Sequence, residues 1–506
     1  ITDPYANTLY RTAIGVGDYP IDQHHTRYPE WSSLPNLYFH PVPSYGVPLG
    51  VMLPVAVQQL INSLFNMVDN LMVGSLDPNG LAMSAVSVAN KPYTIFTCLL
   101  FGLTGGAGLM ISQYYGAEDH KTCQGLFSLQ VFLSLAISAV FFVLLQLDEL
   151  LQLLPRQIMG LFVKDENTIL LGLGYLAVVS VSYLPTSISN VCVLSLRSIG
   201  LNRLPMLVSL GTITANAVCN YILIFGKLGC PAMGVAGAAL GTVVARIVES
   251  SVIVGSFLSN KQLRFRIRDL FTPFRDLVGE FLHTSIPVLL SDCLLGLGDN
   301  VLAIIMGRIG SGFVTANSIT MVIQRVSTIV IMGLAFSGCF QTGQVLGKGE
   351  VQAARRQGNT YLLIGLVFGA LASVIIRLIS GTVISLYKIT PETREIAMEL
   401  MDALCIVVVF RSVNSILSKG VLRGGGDTRF LLAADMSTMW LVAVPLGALA
   451  GLTLKLPPFF TYLFLYSDQI LKAFWCILRL RSGKWIKHVQ GTADFGEIEE
   501  DEEEIR

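Results

Sequence analysis

Gln58, Asn62, Asn66 and Asp69 follow one another at i, i+4, i+8 and i+11. At 3.6 residues per turn, that spacing lays three amides and one carboxylate along a single helical stripe. The residues around them, PVAVQQLINSLFNMVDNLMVG, are otherwise largely apolar, so the stripe lies where a polar group is costly unless it is paired or faces water. Amides in such a segment bond to neighbouring helices as readily as to a ligand. An acid is harder to explain that way, and Asp69 is the expected site of a proton or of a hard cation such as Na+. Asn190, Asn216 and Asn220 lie in later apolar segments and are expected to face Asp69, completing a cation-coupling group.

The second half of the chain carries its own set. Asp292 and Asp299 are seven residues apart and share a helix face. Gln324, Arg325, Arg411 and Asn414 add polar groups to the segments that follow. With Gln58, Asn62 and Asn66, the residues Asp292, Asp299, Gln324, Arg325 and Asn414 are the candidates for lining a substrate path. An aspartate and an arginine at such a depth can equally form a purely structural ion pair. Arg246 and Glu249, at i and i+3, suit a local salt bridge. Arg429 and Asp435 are expected near an interface, where charged side chains reach water cheaply.

The elements that must position these groups are membrane spans. Of the 506 residues, 53% are hydrophobic and 13% are charged, and Lys plus Arg balances Asp plus Glu at 34 each. That composition points to an integral membrane protein and gives no global charge for a nucleic-acid partner. A bilayer core of about 30 Å needs roughly 20 apolar residues per helix. Twelve such segments are expected near 47–76, 81–112, 123–153, 167–196, 203–226, 234–259, 284–307, 314–345, 359–387, 396–421, 430–452 and 456–480. Lysine and arginine concentrate on the side of the connector between spans six and seven, where Lys261, Arg264, Arg266, Arg268 and Arg275 cluster. The positive-inside rule then places both termini in the cytoplasm.

The nine cysteines include no CxxC pair and read as small core residues, and none of the six histidines sits in the middle of an apolar span. No structural metal and no cofactor are expected, the coupling ion apart. A membrane-embedded enzyme or receptor is disfavoured because neither HExxH nor GxSxG occurs.

The chain also resembles itself. PVAVQQLINSLFNMVDNLMVG from Pro54 lies over PVLLSDCLLGLGDNVLAIIMG from Pro287 at an offset of 233. FGLTGGAGLMISQYYGAED lies over MGLAFSGCFQTGQVLGKGE, pairing Gly102 with Gly333, Gln113 with Gln344 and Gly116 with Gly347. LRSIGLNR from Leu196 lies over LRGGGDTR from Leu422. The expected fold is an all-α membrane protein of twelve transmembrane helices in two homologous six-helix bundles. With an even number of spans per half, the bundles are related by a pseudo-two-fold along the membrane normal, with a path between them. The expected organisation is an N-terminal extension over 1–46, a first lobe over 47–260 and an amphipathic cytoplasmic connector over 261–283. A second lobe over 284–480 and a charged cytoplasmic tail over 481–506 complete the chain.

AVQQLINSLFNMVDNLMVG, ANAVCNYILIFG followed by MGVAGAALGTVVARIVE, and VLRGGGDTRF followed by ADMSTMWLVAVPLG resemble the bacterial multidrug and toxic compound extrusion (MATE) transporters. The resemblance covers about residues 47–480. It implies two bundles set as a V, H+- or Na+-coupled antiport, and export of organic, often cationic and amphiphilic compounds by alternating access. It further implies a monomer in the plasma membrane, here a bacterial inner membrane, with small-molecule substrates and the lipid bilayer as its partners. Asp69 matches the family's first-helix coupling aspartate, and Asn190 and Asn216 match its amides on helices four and five. Asn220 stands before Tyr221 where the family often has an aspartate, and a seventh-helix glutamate of some relatives falls at Leu295. A lipid or lipid-linked oligosaccharide flippase of the same superfamily is the rival reading. VGDYPIDQHH and PSYGVPLG, within and just after 1–46, faintly resemble the tail of FAD-dependent oxidoreductases, with no flavin site implied.

Overall fold

A backbone inside hydrocarbon must satisfy its own polar groups, so apolar runs of this length fold as helices. The computed structural model describes residues 54–61, 69, 72–76, 81–146, 156, 159, 165–260, 265, 267–271, 275–387 and 389–487, and every regular element among them is helical. The chain divides into the units Ile1–Gly46 and Val47–Arg506. The first, with its oxidoreductase-like stretch, lies outside the described residues, all of which belong to the second.

The helices are α1 (residues 54–61 and 72–74), α2 (Leu81–Gly116), α3 (His120–Gln146), α4 (Glu166–Ser198), α5 (Arg203–Phe225) and α6 (Gly234–Leu258) in the first lobe. In the second are α7 (Arg275–Ile309), α8 (Ser311–Gly347), α9 (Val351–Ser385), α10 (Pro391–Ser415), α11 (Thr428–Thr453) and α12, broken into Pro458–Leu465 and Ser467–Arg481. Among the described residues, nine helices are long and apolar enough to cross a bilayer. The other three expected spans are α1, described only in part, and α10 and α12.

α10 misses on charge, because Glu392, Arg394, Glu395, Glu399, Asp402 and Arg411 leave no span-length stretch of it nearly free of ionisable residues. It is nonetheless the hub of its lobe, with Leu400, Met401, Ala403, Leu404, Val407 and Val408 fully buried. α7 begins at Arg275, inside the stretch expected to be connector. α9 does the opposite of α10 and exposes Leu363, Val367, Leu371, Val374 and Leu378, the pattern of a helix facing lipid.

Local sequence explains the breaks. α2 kinks at Asn90, directly before Lys91 and Pro92. α4 passes through a 3-10 turn at Ser180–Ser182 just before Pro185, and α11 carries π turns on either side of Pro445, at Ser437–Ala443 and Leu449–Thr453. Proline removes an N–H from the ladder, and the helix relaxes locally to satisfy the freed carbonyl.

In the first lobe, α2 packs on α3 and α4, α4 on α6, and α5 on α6; in the second, α10 packs on α8, α9 and α12. The lobes meet where α2 packs on α7 and α8. This contact obeys the internal repeat. A methyl on Gly102 of α2 would strike Leu289 of α7, and one on its mate Gly333 of α8 would press on Ala56 of α1. At the connector end of the bundle, a Cβ on Gly116 would collide with the Gln344 carbonyl, and a Cβ on Gly347 with the Gln113 carbonyl. Two repeat-related glycines thus let α2 and α8 touch backbone to backbone.

The same symmetry governs the hydrogen bonds. Gln113 Nε2 donates to Gly424 O at 3.1 Å, and Gln344 Nε2 donates to Ser198 O at 2.6 Å. Each glutamine crosses to the other lobe and satisfies a carbonyl at the end of α4 or just beyond α10. Gly347→Ala should therefore destabilise the purified protein by about 1–3 kcal/mol, read as a lower melting temperature. Gly174→Ala, where a Cβ meets nothing within 4 Å, should not lower it.

Candidate functional site

The first-lobe cluster is assembled by α1, α5 and α6. Asn216 and Asn220 lie one turn apart on α5 and are buried. Asn220 Nδ2 donates to Asp69 Oδ1 at 2.6 Å and to Asn216 Oδ1 at 3.2 Å. Gly241 of α6 makes room for this, since a Cβ there would collide with Asn220 Oδ1. Asp69 is half-buried. Arg246 lies within Coulombic reach of it while bonded to Glu249 at 2.7 Å, as the i, i+3 spacing predicts. Tyr175 of α4 stands near the same carboxylate.

The structure thus brings Asp69, Asn216 and Asn220 together. Asn190 is half-buried and makes no bond to them among the described residues. Asn62 and Asn66 lie outside the described residues. Gln58 faces a different group: its Nε2 donates to Ser209 Oγ at 2.7 Å, and its Oε1 accepts from Arg197 Nη2 at 2.5 Å.

The second lobe holds charges in pairs. Arg423 clasps Asp292 through two nitrogens, at 3.2 and 3.4 Å. Arg479 clasps Asp427, with Nε at 2.6 Å from Oδ2. Lys472 and Ser291 both donate to Asp435. Arg411 lies over the Tyr466 ring, 5.3 Å from its centroid, with Gln324 turning its amide oxygen to the guanidinium. Asp299, exposed, and Asp468, buried, both lie within Coulombic reach of Arg411. Asn414 Nδ2 donates to Gln469 Oε1 at 2.9 Å.

Two expectations are corrected. Asp435 is 3% exposed and paired with Lys472, not held at an interface, because α12 brings a lysine inward to meet it. Arg325, next to Gln324, is exposed and forms no ion pair among the described residues, which sets aside the structural ion pair and leaves it free to line a path. Asp292 and Asp299 share a face as their spacing requires, yet they serve separate guanidinium groups.

Arg197, Arg423 and Asp427 were missed near the ends of their spans, and three more residues on α12. Asp468, Lys472 and Arg479 recur at i, i+4 and i+11, so the stripe argument applied to α1 would have found them.

Two repeated helical lobes with acids and amides buried at span depth define a multi-pass membrane transporter architecture. The MatE family model matches residues 54–222 and 287–449, one copy in each lobe, and the chain belongs to the MATE family. Over 87% of this chain and 93% of its own length, a probable multidrug resistance protein NorM of Thermotoga maritima is 24% identical. The multidrug resistance protein PmpM of Pseudomonas aeruginosa is 23% identical over 79% of this chain and 82% of its own. A crystal structure of MATE in the bent conformation superposes with a TM-score of 0.77 at 19% identity, covering 87% of this chain and 96% of that one. An outward-facing multidrug resistance MATE family transporter superposes at 0.75, with 19% identity over 88% of this chain and 96% of that one. Those superpositions establish the fold alone.

Removing one member of a buried ion pair strands the other, at a cost of about 3–5 kcal/mol. Lys472→Met should lower the melting temperature accordingly, and adding Asp435→Asn should recover most of the loss. An unchanged melting temperature in the single variant would contradict the burial of the pair.

Proposed function

We propose that this chain is a secondary active antiporter that exports organic, often cationic and amphiphilic compounds in exchange for H+ or Na+ by alternating access. It works in a plasma membrane, a bacterial inner membrane in this reading, with both termini cytoplasmic. The observation that carries the proposal is the bond from Asn220 to Asp69 inside the first lobe. A carboxylate held by an amide within a span can take up and release a cation, and such exchange drives transport when it is coupled to the shape of the lobe. The ion must then bind the two access states with different affinity.

Asn220 donates its NH2 to Asp69, which holds the carboxylate ready to take up a cation, and the amide oxygens of Asn216 and Asn220 lie beside it. Among the described residues no three acids, histidines or cysteines converge to hold a metal. The multidrug resistance named for the relatives supports organic substrates. The reciprocal glutamine bonds support a path closed at the connector end.

Asp69→Asn keeps the size and a hydrogen-bonding group but cannot exchange a charge. In proteoliposomes loaded with a fluorescent organic cation, this variant should reduce gradient-driven movement to the level of empty vesicles while inserting normally. Proton and sodium gradients imposed separately identify the coupling ion. Undiminished movement in Asp69→Asn would overturn the assignment.

A further inference from the structure

Arg197 stands out among the buried charges. It is 4% exposed, its Nη2 donates to Gln58 Oε1, and among the described residues its Nε has no partner. Among the described residues no carboxylate forms an ion pair with it.

The internal repeat supplies the comparison. The mate of Arg197 is Arg423, which clasps Asp292. At the offset of 233, the mate of Asp292 is Gln59, and that of Ser291 is Gln58. The contact of Gln58 with Ser209 in the first lobe matches the contact of Ser291 with Asp435 in the second. Around Arg423 the second lobe therefore sets Asp292 and Asp435 beside Arg423 and Lys472, so that each of these two bases has an acid bonded to it. Around Arg197 the described residues of the first lobe offer amides and a hydroxyl, and no acid is bonded to its charge.

A buried guanidinium without a counter-ion is costly, and an amide oxygen offsets only part of that cost. The face of Phe336, 5.6 Å from the guanidinium, adds a further part. Phe336 belongs to α8, in the other lobe, and the residue after Arg197, Ser198, accepts the inter-lobe bond from Gln344. Arg197 thus sits on the lobe boundary, covered by α8, and withdrawal of α8 opens it to the path.

We propose that Arg197 is an oxyanion-binding point on the path between the lobes, taking a carboxylate or phosphate group once the connector ends part. A guanidinium matches such groups with two parallel hydrogen bonds, and its free Nε supplies a donor for one of them. Resting on the transport reading above, this adds zwitterions and organic anions to the compounds carried. An anionic lipid headgroup offers the same chemistry as a substrate carboxylate.

The test uses the full chain in phosphatidylcholine nanodiscs and two dyes that differ at one group: rhodamine 110, with a free carboxylate, and rhodamine 123, its methyl ester. The ratio of their affinities, read by fluorescence anisotropy, should favour rhodamine 110 by about tenfold, the factor one charge-assisted hydrogen bond supplies. Arg197→Gln should bring the ratio to about one, and Arg197→Lys should keep part of it. Gln58→Glu retains the arginine and supplies the missing acid, so it too should erase the preference, without lowering the melting temperature.

Adding phosphatidylglycerol separates the two sources. Loss of rhodamine 110 binding in the wild type but not in Arg197→Gln assigns the site to a headgroup, whereas no effect assigns it to the substrate. Equal affinity of the wild type for both dyes, or a preference that survives both Arg197→Gln and Gln58→Glu, would overturn the anion site and leave the transport reading standing. Failure of the wild type to bind or move either dye would overturn both.

Discussion

Everything at the boundary between the lobes depends on how closely α2 approaches α8. Apolar helices in a bilayer gain nothing from hiding from lipid, so what holds them together is short-range packing and the hydrogen bonds that packing permits. Gly116 and Gly347 bring two backbones into contact, and only at that separation do the side chains of Gln113 and Gln344 reach carbonyls of the opposite lobe. Because both residues of each pair come from the same repeat, one solution to the packing problem serves both sides of the pseudo-two-fold. A carbonyl at the end of a helix that has lost its intrahelical partner is an unmet demand in an apolar setting. Here each lobe meets that demand for the other.

The scaffold is symmetric, and its charges are not. The repeat carries Asp292 onto Gln59, Asp299 onto Asn66 and Asp69 onto Leu302. In the second lobe Asp292, Asp427 and Asp435 each meet a base from a neighbouring segment. Such pairs add little net stability because desolvation offsets attraction, but they fix geometry firmly. The first lobe holds Asp69 with an amide and Arg197 with another amide. Neither has a direct counter-ion among the described residues, and charges in that condition respond to whatever ion or ligand comes near.

Much of this was legible in one dimension. The bilayer imposes a length on each span separately, so apolar runs located the helices without any knowledge of their neighbours. Helical periodicity then sorted residues by face, which is why the Arg246–Glu249 pair could be read directly. Self-alignment located the two MatE copies and the glycines at which the lobes meet, because duplication leaves its trace in residue order. α10 marks the limit of the hydropathy argument: its charges gather toward its start, where Glu392, Arg394 and Glu395 are exposed, while its middle is buried in protein.

Only the tertiary structure decided which faces meet. Asp435 and Lys472 are 37 residues apart on helices that nothing local obliges to touch, so the aspartate looked interfacial until α12 was in place. Asn190 and Asn216 looked equivalent as amides in neighbouring spans, and packing bonded Asn216 into the Asp69 cluster through Asn220. Arg197 and Arg423 occupy matching places in the repeat, and the loss of an acid near one of them has meaning only once Gln58 is seen beside it. Length and periodicity are properties of a single helix and can be read along the chain, whereas the partner of a buried charge is set by the rotation and offset of two helices against each other.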